Sequence, residues 1–470
     1  MSTTMDTPSG TMETRISYSP GQLPLFWDRS VVFFANLLAL FFGNKEAIKE
    51  LAAQVGQIET YGGRLCPLIN LLFRGPDNLL VLEREPDARL LKYFTDDLGL
   101  TIPDCIILPH KQYLQLPERL MDANRCLFGN DSTARIWQQI AEHPADWIDG
   151  FVTDAILMAT ATAFGKQTLV STEASRLGNN KLLVHRFLQQ QGFPVFDTYL
   201  AAAQSDIVEA AAELHAQGYR RIVVKSQIGA SGIGMVTLDA DRPDVHRVLD
   251  HWFFEGPCLV QGWLDEQVSG LRRLGSPSMQ MFLDETSVNL YDVTEQILSA
   301  ESVHQGNIAP PPYWQTMQEV QAPLREQSEA VGRWLHQHGY RGTASADFLV
   351  VQRDQRLDVI LCEVNARVTG ATYPAVLARH FCPGGAWLMR NLVFDPPVAS
   401  EDLLDLLNRA GHLFLAGRSR GVLPINFNPG PCGKIRKGQF LCLGSDQDEC
   451  LADLNQSAQL LPVAWDYDRD

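Results

Sequence analysis

Two groups of residues in this chain have the types and spacing to handle a polyphosphate and its metal. The first is Lys225 followed by Ser226-Gln-Ile-Gly-Ala-Ser-Gly-Ile-Gly234. Glycines let backbone N–H groups approach phosphate oxygens closely and take up positive φ. Gly229, Gly232 and Gly234, with Ser231 among them, therefore read as a loop that covers phosphates, and Lys225 would set a point charge beside it. No GK[ST] follows and no helix opens there, which disfavours a P-loop. A glycine-rich hairpin turn is the plain alternative for the same residues. The second group is acidic: Asp347 in Ser345-Ala-Asp-Phe-Leu-Val350, and Glu363, Asn365 and Arg367 in Leu361-Cys-Glu-Val-Asn-Ala-Arg367. Residues two apart on a strand share a face, so the last three project together and Asp347 can join them from the neighbouring strand. Two carboxylates, an amide oxygen and phosphate oxygens make the hard set that Mg²⁺ takes. A buried Arg–Glu ion pair is the alternative here.

The elements that must position these groups follow from the pattern of apolar residues. Apolar runs at 78–82, 105–109 and 167–170 read as strands, and 86–94 and 147–164 as helices. Strands alternating with helices suggest a parallel α/β layer. No GxGxxG opens any of these units, so nothing supports a dinucleotide site. Beyond residue 176 the texture changes. Helices are expected at 181–191 and 207–217, and strands at 221–225, 235–238, 258–261 and 277–283. A long helix over 319–338 then precedes two neighbouring strands, 343–351 and 357–364, joined by a polar turn. After about residue 395 a helix (400–414), a hairpin-like stretch (421–443) and a short acidic helix (446–454) make a small terminal unit.

In chain order these elements resemble an ATP-grasp enzyme: Lys181 at a helix start after Leu177-Gly-Asn-Asn180, Lys225 before the glycine loop, Gln261-Gly-Trp-Leu-Asp-Glu266 at the hinge, then Asp347 and Glu363-x-Asn365-x-Arg367. The resemblance implies that Lys181 and Lys225 bind ATP phosphates, that the loop bearing Ser231 and Gly232 folds over them, and that Gln261 and Trp263 frame adenine. It implies Glu266 at the ribose, with Asp265 as the other candidate, since many relatives have Glu where this chain has Gln261. Asp347, Glu363 and Asn365 would hold two Mg²⁺ ions, for which Mn²⁺ can substitute. Arg367, with Lys225, would serve catalysis by steadying the phosphoryl group in transfer. A narrower resemblance, carried by the run 363–373 and the architecture, is to peptide ligases of the pheganomycin-biosynthesis type. It implies an α/β and α+β multidomain chain: a flexible tail (1–21), a Rossmann-like pre-ATP-grasp domain (22–175), an ATP-grasp domain (176–395) and a C-terminal cap (396–470). The implied activity joins a carboxylate, such as an amino acid, to an amine or peptide through an acyl-phosphate, with release of ADP and phosphate, in natural-product biosynthesis. Carboxylase or phosphotransferase chemistry on the same scaffold, or an inactive nucleotide-binding regulator, are the rivals.

Composition sets the outer bounds. At 470 residues the chain is about three typical domains long. Thirty-nine Lys plus Arg against 55 Asp plus Glu give a net charge of −16, which argues against nucleic acid or an acidic membrane as partner. The nine cysteines form no CxxC pair, the start has no basic-then-apolar leader, and the apolar stretch 31–42 is too short to span a bilayer. A soluble, cytoplasmic protein with reduced thiols is expected, and a homodimer is compatible with it. His304, Gln305 and Asn307 are candidates for the substrate pocket. Arg272 and Arg273 suit either an acceptor carboxylate or the surface, and Lys434, Arg436 and Lys437 read as solvated surface.

Overall fold

The computed structural model describes residues 14–55, 61–116, 132–264, 268, 271–299, 304–430 and 432–464. Its first unit is a five-stranded parallel sheet made of Val31–Phe34, Leu79–Leu82, Asp104–Ile107, Trp147–Gly150 and Gln167–Thr168. Numbered along the chain, the strands lie in the order 3-2-1-4-5, the arrangement of a Rossmann-like half. The first two strands are buried along their whole length, as a parallel sheet covered on both faces requires. The expected helix over 147–164 is corrected here. Residues 147–150 are a strand, and the helix begins only at Ala155, capped by the Asp154 carboxylate, which accepts from the Leu157 N–H. Trp-Ile-Asp-Gly is too short to declare a period, and an N-capping Asp marks a helix start rather than its middle.

A four-stranded antiparallel sheet follows, in the order Thr198–Ala201, Cys258–Gly262, Arg221–Ala230, Ile233–Asp239. The helix Gln204–Ala216 lays Ile207, Ala210, Ala211 and Leu214 into its core. The remainder is organised by one eleven-stranded sheet. The hairpin Gly342–Arg353 and Arg356–Asn365 forms one end, and Pro277–Leu283, Ser287–Leu298, His304–Ala309 and Ala386–Val398 cross the middle. Gly421–Pro429 and Ile435–Gly444 extend the same sheet, with the helix Gln447–Leu460 packed on them. The last three middle strands escaped the sequence reading, because polar residues interrupt their alternation.

Residues 15–18, expected to belong to a floppy tail, form a strand paired in parallel with Ser287–Leu298. Ile16 and Tyr18 pack against the core there, which fixes a segment whose composition alone looks unstructured. The helix Thr372–Phe381 is locked to the sheet by a buried pair: Arg379 Nε and Nη2 donate to Asp292 at 2.9 and 2.8 Å, and Trp387 Nε1 donates to the same carboxylate at 3.0 Å. The eight cysteines among the described residues are all free; Cys126 lies outside them.

Candidate active site

The helix Lys181–Gln190 opens where the Asn180 side chain accepts from the Leu183 N–H. That cap sets Lys181 on the first turn, and its Nζ lies 3.0 Å from Glu363 Oε2 and donates to the Gly229 carbonyl at 3.1 Å. The strand carrying Lys225 runs on to Ala230, so the stretch 226–234 is the upper part of a hairpin rather than a separate loop. Ala230 pairs with Ile233 across the two-residue turn Ser231-Gly232, both at positive φ (54° and 80°), the conformation that tight hairpins demand. Pairing is interrupted between Lys225 and Ala230. Gly234, at φ 78°, has no room for a Cβ, which would strike Ser226. The glycines thus form a hairpin turn at the rim of a cleft.

The acids come together through strand register. Asp347 lies opposite Glu363 and Ser345 opposite Asn365, and a bulge falls just after Asp347. Asn365 Nδ2 donates to Asp347 Oδ2 at 2.9 Å and to Glu363 Oε1 at 3.4 Å, while Ser278 Oγ donates to Asp347 Oδ1 at 2.6 Å. The two carboxyls titrate apart. Burial and the neighbouring Glu363 charge push Asp347 above the usual carboxylate range. Although burial opposes it, the cations Lys181, Arg367 and Lys225 hold Glu363 well below that range. The strand ends at Asn365, and Arg367 turns away to donate to Asn179 Oδ1. Burial also draws the Lys225 ammonium below its ordinary range, partly offset by Cys362 and Glu363.

Among the described residues no cluster of three or more His, Cys, Asp or Glu side chains could hold a metal by itself. Two carboxylates and an amide oxygen are nonetheless the donor set Mg²⁺ accepts when phosphates and water complete its shell. The residues present fit that ion.

These groups line one open cleft. Of the anticipated residues, Lys181, Ser231, Gly232, Asp347, Glu363, Asn365 and Arg367 border it, as do His304 and Asn307. Lys225 and Gln261 instead border a small adjoining pocket walled by Phe196 and Leu361. Buried Gln261 donates there to Thr198 Oγ1 at 3.0 Å. Trp263 borders neither cavity and lies beneath the Arg221 guanidinium. Asp265 and Glu266 fall outside the described residues. Gln305 receives a hydrogen bond from Arg390, and Arg272 and Arg273 stand away from the cleft. Lys437 is corrected from solvated surface to cleft wall, whereas Lys434 and Arg436 are exposed. Arg64, Ser278, Asn391 and Gln439 also line the cleft and were missed. Each is an isolated polar residue within a different segment, and no motif joins them.

No protein-family model matches the chain. Among curated proteins, a [butirosin acyl-carrier protein]–L-glutamate ligase of Niallia circulans is 29% identical over 199 residues, which cover 42% of this chain and 44% of that protein. The chain thus spans less than half the length of the curated relative it matches. Among solved structures, N5-carboxyaminoimidazole synthetase of Staphylococcus aureus superposes with a TM-score of 0.52 at 12% identity, covering 94% of this chain and all of that one. Biotin carboxylase of Campylobacter jejuni gives 0.53 at 15% identity, covering 93% and 92%. The biotin carboxylase domain of Hydrogenobacter thermophilus 2-oxoglutarate carboxylase, solved with MgADP and ADP, gives 0.55 at 11% identity, covering 93% and 91%.

Proposed function

We propose, from the ATP-grasp fold that this chain carries, that it is an ATP-dependent ligase joining a carboxylate to an amine. The observation that carries the reading is the convergence of Lys181, the Ser231-Gly232 turn, Asp347, Glu363, Asn365 and Arg367 on one cleft. Lys225 and Gln261 stand beside it on an apolar-walled pocket, on the side where the family resemblance puts the adenine. Glu266 remains our choice for the ribose. Asp347, Glu363 and Asn365 would hold Mg²⁺, which supplies Lewis-acid neutralisation of the charge on the β- and γ-phosphates.

A free carboxylate is a poor acyl donor. Its oxygen attacks the γ-phosphorus of ATP, the bond to the bridging oxygen breaks, and ADP leaves with that electron pair. Lys181 and Lys225 hold the phosphate charge and Arg367 steadies the group in flight. The amine then attacks the acyl-phosphate carbonyl, phosphate departs, and the nitrogen gives up its proton. The hairpin tip at 231–232 closes over the cleft to keep water from the intermediate. The proposed acids are amino acids, in natural-product biosynthesis and in the cytoplasm, where ATP is abundant. Among the described residues no helix is long and apolar enough to cross a membrane.

The test is trapping. Protein, MgATP, hydroxylamine and a panel of amino acids should yield the hydroxamate of one acid together with ADP. L-Glutamate comes first in the panel, because the relative in Niallia circulans ligates it. Phosphate release with no hydroxamate from any acid would favour a phosphotransferase, and no nucleotide turnover at all would favour an inactive binder.

A further inference from the structure

Amide formation needs a base, because the attacking nitrogen must lose a proton, and most groups in the cleft are already committed. Asp347 and Glu363 are given to the metal, and the lysines and arginines are cations. The Tyr373 hydroxyl accepts from Arg64 Nη1 at 3.2 Å and from Gln439 Nε2 at 2.7 Å. Among the described residues that line the cleft, His304 is the titratable side chain that remains.

His304 opens the strand His304–Ala309, and its Nε2 lies 2.6 Å from Asn307 Oδ1 on the same strand. Asn307 Nδ2 donates to Thr294 Oγ1 at 3.3 Å, so the oxygen turned to the ring accepts and Nε2 carries the hydrogen. That tautomer leaves the lone pair on Nδ1. Nδ1 has no hydrogen-bond partner among the described residues and is not closed off from the cleft. Gly370 keeps that edge of the ring clear, since a Cβ there would stand 3.2 Å from Cε1 and 3.6 Å from Nδ1. Burial lowers the His304 pKa, the Asn307 hydrogen bond opposes the shift, and the charges of Arg64, Arg390 and Lys437 lower it further. These cations come from three separate segments and have partners of their own, Arg64 on Tyr373 and Arg390 on Gln305. They act on the ring through their charge and favour its neutral form.

His304 stands three strands from Asp347 across the large sheet, roughly 14 Å at about 4.8 Å per strand. A phosphoryl group, an acyl carbon and an amine nitrogen in line fill such a gap between a metal and a base. Gly370, against which the ring lies, follows Arg367 by three residues, about 10 Å of chain at most. We propose that His304 Nδ1 is the general base of amide formation. The nitrogen lone pair makes the bond to the acyl carbon. The N–H bond breaks, its proton passing to Nδ1 and its electrons staying on nitrogen, and the carbon–oxygen bond breaks with its pair leaving on phosphate. The imidazolium, set among three cations, then hands the proton to water and the ring is neutral again. The proposal rests on the ligase reading above and adds the residue that moves the proton.

Hydroxylamine serves as the test nucleophile, with the whole chain, MgATP and the acid that yields a hydroxamate in the panel above. His304→Gln should slow hydroxamate formation about 100-fold or more near neutral pH, with affinity for a non-hydrolysable ATP analogue unchanged by calorimetry. The ratio of parent to His304→Gln rates cancels the titration of hydroxylamine itself. It should climb with pH to a plateau, with a midpoint below the ordinary histidine value of about 6.5. Asn307→Asp should raise that midpoint by about one pH unit or more, because a carboxylate on the Nε2 hydrogen favours the imidazolium. A ring that only shaped the cleft would show no such movement. Should His304→Gln fail to fold, the parent's own pH profile against that of Asn307→Asp carries the test. A ratio near one, a ratio flat with pH, or a midpoint unmoved in Asn307→Asp would overturn the base while trapping by the parent upholds the ligase reading. No hydroxamate from the parent with any acid would bring down both.

Discussion

Glu363 sits where three demands meet: it pairs with Lys181, it receives a hydrogen bond from Asn365, and it faces the carboxyl of Asp347 across the hairpin. The cations around it hold its carboxyl below the usual range, while burial and the Glu363 charge raise that of Asp347, so the two carboxyls titrate apart. A bound metal would need both as carboxylates, so its uptake would favour release of a proton from Asp347. Glu363→Gln removes a hard anionic ligand while keeping the shape. We expect ATP-dependent hydroxamate formation to fall about 100-fold or more, with a melting temperature close to that of the parent, because the side chain is about one-third exposed. Retained turnover would show that the metal is held elsewhere.

Individual elements carry their own charged groups into the interior. Asp149 stands next to the last residue of the strand Trp147–Gly150, on the side of the sheet where the parallel strand order reverses. It borders a small cavity closed by residues 340–343 and 366–368. Burial pushes its pKa up to about 7, against one backbone hydrogen bond from Gly150. The folded value lies above the unfolded one, so its contribution to stability is fully present below about pH 4 and is lost as pH rises through about 7. Asp149→Asn carries no charge at any pH. Its melting temperature should therefore gain on the parent's between pH 5 and pH 8, and a gap that does not widen would show that Asp149 is solvated. The helix Thr372–Phe381 depends on a buried ion pair. Asp292→Ala strands the buried Arg379 guanidinium and leaves Trp387 Nε1 without its acceptor, at a cost of about 3–5 kcal/mol, read by urea denaturation. A change below about 1 kcal/mol would mean that water reaches the guanidinium.

For the molecule as a whole, the C-terminal strands belong to the same sheet as the site. Ala386–Val398 pairs with Ile435–Gly444 from Ala386 through Val393, and residues from both ends of the chain border one cleft. A chain ending after residue 395 would present that strand as an unpaired apolar edge. We expect such a truncation to aggregate on expression, and a soluble, nucleotide-binding truncation would show that the terminal unit is an independent attachment. The cleft itself belongs to this scale as well, because its hairpin rim comes from the four-stranded sheet and its carboxylates from the large one.

Much of the site could be read from the sequence because it rests on local rules. Alternation on a strand puts Glu363 and Asn365 on one face, the polar turn at 352–356 brings Asp347 beside them, and glycines mark the hairpin tip. Those relations span a few residues and depend on backbone geometry alone. The strand at Trp147 was taken for a helix because four residues hold too little period, and the order of the parallel strands follows only from packing. Arg64, Asn391, Lys437 and Gln439 could not be found at all: each stands alone in its segment, more than 300 residues separate the first from the others, and nothing local distinguishes a cleft wall from a solvated surface. The sequence determined which side chains could meet a phosphate and a metal. The tertiary structure decided how long the cleft is and what closes its far end, because both depend on which strands lie side by side.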